Sequence, residues 1–264
     1  MDYATYAFCG LVSGFLAELL GIGGGFVVVP AMMLLLPAAV GPTPLLPQMA
    51  VATSLVAMIP TTLAAMSAQH RRGSVDAAWL ARLAPGVSVG ALIGAMLMPR
   101  IDARLVAMLF VFYAGYFALR LLSVASGRVL PAPWNAWPSP LVAASIGIVS
   151  VLAGVGGAIF TVPYLESRRV RMTHALGTSS GVALSLSLVA LLGLALGRVD
   201  AQQSAIALVW WPAALSIGAA AVFTVPLGVC LAHRLPVAAL KRAFACLLMV
   251  AASGSLWKVA MAHP

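Results

Sequence analysis

Charge is scarce in this chain. Of its 264 residues 62% are hydrophobic and only 8% charged, with 6 acidic side chains in all. Such a balance leaves too little polar surface to cover a globule in water, which excludes a soluble domain. Cysteine is scarcer still: Cys9, Cys230 and Cys246 lie in apolar segments with no CxxC spacing and no carboxylate or histidine cluster nearby. Neither disulfides nor a metal site is expected from them, and they read as small packing residues. The alternating pattern of membrane β-strands is missing throughout. The opening residues Met1 and Asp2 lack the basic stretch of a cleaved signal peptide, so the N-terminus is expected to stay attached.

What is present is a series of apolar runs, each long enough to cross about 30 Å of hydrocarbon at ~1.5 Å per residue. The fold class expected is all-α, a polytopic integral membrane protein. The net charge of +9 does not point to nucleic acid, because the basic residues sit in short inter-helix loops and not on one face with interleaved aromatics. It fits the enrichment of Lys and Arg in cytoplasmic loops. The bilayer is thus an expected partner and nucleic acid is not, while monomer and homodimer both stay open.

Inside these runs glycine is concentrated in one pattern that occurs twice. Gly21-Ile22-Gly23-Gly24-Gly25-Phe26-Val27-Val28-Val29-Pro30 returns as Gly154-Val155-Gly156-Gly157-Ala158-Ile159-Phe160-Thr161-Val162-Pro163, with three Gly, one Val and the Pro in register. Glycine costs about 1 kcal/mol of helix propensity and proline removes a backbone donor, so neither suits a lipid-facing helix. Unwound backbone at membrane depth is tolerated where it is buried in protein or lines a cavity, and paired breaks in two halves point to a transporter binding site. Isolated glycines such as Gly10, Gly14, Gly90, Gly94 and Gly218 read instead as points of close helix packing.

The rest of the chain repeats around these breaks. Residues 1–125 form a first membrane repeat: an interrupted stretch from Tyr3 to Leu36, a proline-rich loop from Pro37 to Pro47, and spans at Gln48–Gln69, Ala77–Pro99 and Ala103–Ala125. Residues 126–140, with Trp134 and Trp137, form an interfacial linker. Residues 141–264 form the second repeat, an interrupted stretch Leu141–Leu165 followed by spans at Ala175–Leu196, Ala205–Leu231 and Val237–Ala260. Ala52-Thr53-Ser54 is answered by Gly177-Thr178-Ser179.

Loop charges decide how the breaks are folded. If both glycine segments turn back as hairpins, Arg71, Arg72, Arg82, Arg120, Arg128, Arg168, Arg169, Arg171, Arg234, Lys241 and Arg242 share one side, and only Arg100, Arg104, Arg198 and Lys258 lie opposite. Full crossings would leave no bias. The positive-inside rule therefore favours hairpins, each followed by three spans, and the two halves are expected to be inverted in the membrane.

A hairpin tip within the bilayer leaves the first amides of its returning helix unpaired, here near Gly23, Gly24, Gly25 and Phe26 and near Gly156, Gly157, Ala158 and Ile159. Helix N-termini carry about half a positive charge, so two of them meeting would make an anion site. Thr53, Ser54, Thr178 and Ser179 supply repeated hydroxyls; the alternative for each is a bond to a backbone carbonyl one turn back. Glu18 is a carboxylate inside an apolar run, and Val151 stands at the matching position. It reads either as a coupling or gating group or as a carboxyl bonded at a helix junction, with Pro30 and Pro163 as gating candidates beside it. Gly177-Thr178-Ser179-Ser180-Gly181 fits the hydrolase pattern Gly-x-Ser-x-Gly, which needs a strand-turn-helix setting, and no base for Ser179 is evident in the spans. No catalytic set and no cofactor are expected.

The duplicated glycine tracts with Pro30 and Pro163, each followed by Ala-Thr-Ser or Gly-Thr-Ser, resemble the TauE/SafE sulfite exporter family over nearly the whole chain. The resemblance implies a multi-pass permease of the bacterial inner membrane for sulfite or a related small sulfur anion. Ala158 departs from the repeat by replacing the glycine at Gly25. An anion channel and a membrane-embedded hydrolase are the alternative functions.

Overall fold

A computed structural model describes residues 3–20, 25–41, 43–125, 139–199 and 203–232. Among them are nine α-helices, and four are long and apolar enough to cross a membrane. The helices are α1 (Tyr3–Leu20), α2 (Gly25–Val40), α3 (Leu46–Arg71), α4 (Ala77–Leu97), α5 (Ala103–Ala125), α6 (Ser139–Leu152), α7 (Ala158–Ser167), α8 (Met172–Leu196) and α9 (Trp211–Ala232). Gly23 and Gly24, the linker residues 126–138 and the expected last span Val237–Ala260 lie outside the described residues.

Both glycine runs fall between helices. Helix α6 has 14 residues and α7 has 10, so at ~1.5 Å per residue neither crosses ~30 Å of hydrocarbon alone. The Tyr164 hydroxyl near the end of α7 is 2.8 Å from the Ser139 hydroxyl at the start of α6, so the chain doubles back. In the first half Tyr6, near the start of α1, shares one apolar cluster with Met32 and Leu36 of α2.

The central pair is α3 and α8. In their most apolar stretches 67% and 56% of residues are buried, against 33% for α4 and 39% for α9, which therefore face lipid more. Large apolar side chains such as Phe112, Phe223 and Leu34 point outward, as hydrocarbon solvent allows. Without a hydrophobic force between helices, packing is set by small residues. Gly10 and Gly14 of α1 lie against the backbone of Ile217 and Ala221 in α9, and Gly90 and Gly94 of α4 against Ala144 and Ile148 in α6. Gly218 of α9 receives the ring of Pro60. These five glycines do the packing expected of them.

Two boundaries differ from those expected. Helix α2 runs through Pro37 to Val40, and Gly41 ends it at φ +77° with its N–H on the Pro37 carbonyl at 3.1 Å. Pro30 and Pro37 are seven residues apart on one face, so the missing donors are confined to one side and the other ladders hold. The span expected from Ala205 starts only at Trp211. Before it, the chain serves the free carbonyls at the end of α8: Ala205 N–H donates to Gly197 at 2.8 Å and the Ser204 hydroxyl to Ala195 at 2.9 Å.

Candidate functional site

Helix α6 ends in a glycine cap. Gly154, at φ +70°, donates to the Val151 carbonyl at 3.0 Å and Val155 to the Ser150 carbonyl at 2.8 Å, the pair of bonds that closes a helix on a left-handed residue. Two residues later Gly157, at φ +71°, opens α7 with no side-chain cap. Its carbonyl receives the N–H groups of Phe160 at 3.1 Å and Thr161 at 2.9 Å. The N–H groups of Gly156, Gly157, Ala158 and Ile159 have no hydrogen-bond partner among the described residues, although all four residues are buried. Buried amides are almost always paired in folded proteins, so four together are an accumulated demand for an acceptor.

The first tip packs against this turn. Helix α2 starts at Gly25, whose α-carbon faces the Gly154 carbonyl; any side chain there would strike that oxygen and would stand 2.5 Å from the Met58 sulfur. Gly154 in turn lies against Val29, Val51 and Ser54. Phe26 and Ile159 are buried at the corresponding starts of α2 and α7. Pro30 and Pro163 stand at the sixth position of their helices.

The four repeated hydroxyls divide in two. Thr53 accepts the Trp210 N–H at 2.9 Å and Thr178 the Asp76 N–H at 3.0 Å, so each fastens the chain ahead of a helix belonging to the other half of the sequence. Asp76 then caps α4, accepting from Ala78 and Trp79. The Ser54 hydroxyl has one hydrogen to share between Val51 carbonyl at 2.8 Å and Gly154 carbonyl at 3.0 Å, which ties α3 to the second tip. Ser179 donates to Leu176 at 2.8 Å within its own helix. Gly25 and Ser54 are thus brought to the second tip, whereas the described bonds of Thr53, Thr178 and Ser179 lie elsewhere. The Cβ of Glu18 faces α9 at Gly228.

Residues 177–181 lie inside α8, so the Gly-x-Ser-x-Gly pattern has no strand-turn-helix setting. Other polar groups were passed over. The Ser150 and Thr161 hydroxyls are fully buried without a partner among the described residues, and Thr62 and Ser187 bring hydroxyl oxygens to 3.4 Å across the α3–α8 contact. Ser150 and Thr161 have no polar counterpart in the other half, so a search for duplicated residues does not find them; Thr62 and Ser187, 125 residues apart like Thr53 and Thr178, are in register and within reach of such a search.

A family model described as "Sulfite exporter TauE/SafE" matches residues 6–254. A "Probable membrane transporter protein" of Haemophilus influenzae is 31% identical over 247 residues, covering 92% of this chain and 94% of that one. "Probable membrane transporter protein YunE" of Bacillus subtilis is 25% identical over 182 residues, 69% of this chain and 63% of its own length. No solved structure matches. With a transporter family matched over nearly its whole length, the chain belongs to the TauE/SafE sulfite exporter family.

Proposed function

We propose that the protein exports sulfite or a related small sulfur-containing oxyanion across the bacterial inner membrane by alternating access, with the anion held at the two hairpin tips. One observation carries the reading: four buried N–H groups at the start of α7, without a partner among the described residues, beside the point where Gly25 meets Gly154. A helix N-terminus offers several donors and partial positive charge to one guest, and glycine lets an oxyanion approach the backbone.

Two inverted halves are part of the proposal, and the contacts support them. The packing of α1 on α9 is mirrored by that of α6 on α4, and the Thr53–Trp210 bond by the Thr178–Asp76 bond. Arg72 donates to the Val229 carbonyl at 3.2 Å and Gly177 lies on Ser74, so the 72–76 loop, the start of α8 and the end of α9 share one end. Arg71, Arg72, Arg168, Arg169 and Arg171 lie on or next to those segments, and that end is the cytoplasmic side in this reading.

Export fits the energetics. An anion leaving a cell that is negative inside gains about 2.3 kcal/mol per charge per 100 mV, so no coupling ion is required. Proteoliposomes loaded with sulfite should show saturable efflux, accelerated by a potential negative inside and unaffected by a pH gradient, together with counterflow. Non-saturating flux without counterflow would replace the carrier by a channel. Acceleration by a proton gradient would bring Glu18 back as a coupling group.

A further inference from the structure

Serine and threonine in a helix default to donating to a carbonyl one turn back. Ser54, Thr61, Thr62, Ser179, Ser180 and Ser187 all do so. Ser150 and Thr161 do not: both are 0% exposed and their hydroxyl oxygens have no partner among the described residues. Ser150 precedes the glycine cap, and its oxygen lies 3.3 Å from where a side chain on Gly157 would begin, at the N-terminus of α7. Thr161 is four residues beyond Gly157, hence on the same side of the helix, and helical side chains tilt toward the N-terminus. Leu186 of α8 and Ile146 of α6 approach the same spot at 3.4 and 3.5 Å, giving it apolar walls. In the first half the matching positions are Ala17 and Val28, both buried and neither able to donate.

We propose that the two tips are unequal, and that the oxyanion seats on the α7 tip with the Ser150 and Thr161 hydroxyls as its side-chain ligands. This rests on the anion-transport reading above and assigns its side-chain donors. The donors are backbone amides and neutral hydroxyls pointing from several directions. That set suits a pyramidal or tetrahedral oxyanion, which offers a separate oxygen to each, better than chloride.

The test uses the purified full chain, read by thermal unfolding with sulfite, thiosulfate, sulfate or chloride and by sulfite counterflow in liposomes. Ser150→Ala and Thr161→Val should each raise the half-saturating sulfite concentration at least about tenfold, as expected for a lost hydrogen bond to a charged group. Thr161→Ser should stay near wild type, and so should Ala17→Ser. Without anion, Ser150→Ala should melt no lower than wild type, because it removes an unsatisfied buried hydroxyl. Normal half-saturation in both Ser150→Ala and Thr161→Val, with wild type transporting sulfite, overturns the seat and leaves the export reading standing. A lower anion-free melting temperature for Ser150→Ala marks that hydroxyl as structural and likewise overturns it. Failure of wild type to respond to any oxyanion removes both.

Discussion

Thr53 and Thr178 each hold a backbone N–H that has no helical partner, one just before α9 and one just before α4. Replacing either by valine keeps the shape and removes the acceptor, leaving a partly buried donor unsatisfied. Thr53→Val and Thr178→Val should therefore each lower unfolding stability in detergent by about 1–3 kcal/mol. Equal melting temperatures for wild type and both variants would show that the bonds hold nothing together. Gly157 tests the tip differently. At φ +71° an alanine costs about 1–2 kcal/mol in backbone strain, and its Cβ would stand 3.3 Å from the Ser150 oxygen. Gly157→Ala should thus lose sulfite-dependent stabilisation while still folding, and a full wild-type response would take Gly157 out of the site.

At the scale of helices, what was legible was where the backbone breaks. The first glycine run marks an interruption within Tyr3–Leu36; the structure ends α1 at Leu20 and starts α2 at Gly25. The polar loops around Asp102 bounded α5 at Ala103 as expected. Continuation of α2 through Pro37 was hidden because proline counts against a helix locally, while the packing of Met32 and Leu36 decides for it. The delayed start of α9 was hidden too, because it depends on carbonyls at the end of α8 that only the folded chain brings near. Pairing of hydroxyls across the repeat found Thr53 and Thr178 but said nothing of their partners, and it passed over Ser150 and Thr161, which are not repeated. Packing between helices yields a contrast to check. Gly90→Leu would drive a side chain into the Ala144 backbone and should abolish folded yield on expression. Gly115→Leu in α5, where no described residue lies within 4 Å of the added Cβ, should express and melt like wild type.

At the scale of the whole molecule, a short return helix whose first amides have no partner among the described residues lies beside the start of α2, and the two halves exchange packing partners. The proposed anion site has donors but no cation of its own, so the arginines stay at the loops, where they raise local anion concentration at the cytoplasmic mouth in this reading. Neutralising Arg168 and Arg169 together should then slow sulfite entry more at low than at high salt, since exposed charges are screened over about 10 Å at 0.1 M. An unchanged salt dependence would assign those arginines to topology alone.

Selenite, with the pyramidal geometry of sulfite and a strongly scattering centre, gives the most direct measurement through an anomalous difference map of the protein crystallised with it. One peak within hydrogen-bond distance of the Gly157 and Ala158 amides, beside Ser150, is the result predicted. A peak only among the loop arginines, or no peak in crystals of protein that transports sulfite, would contradict an anion site at the hairpin tips.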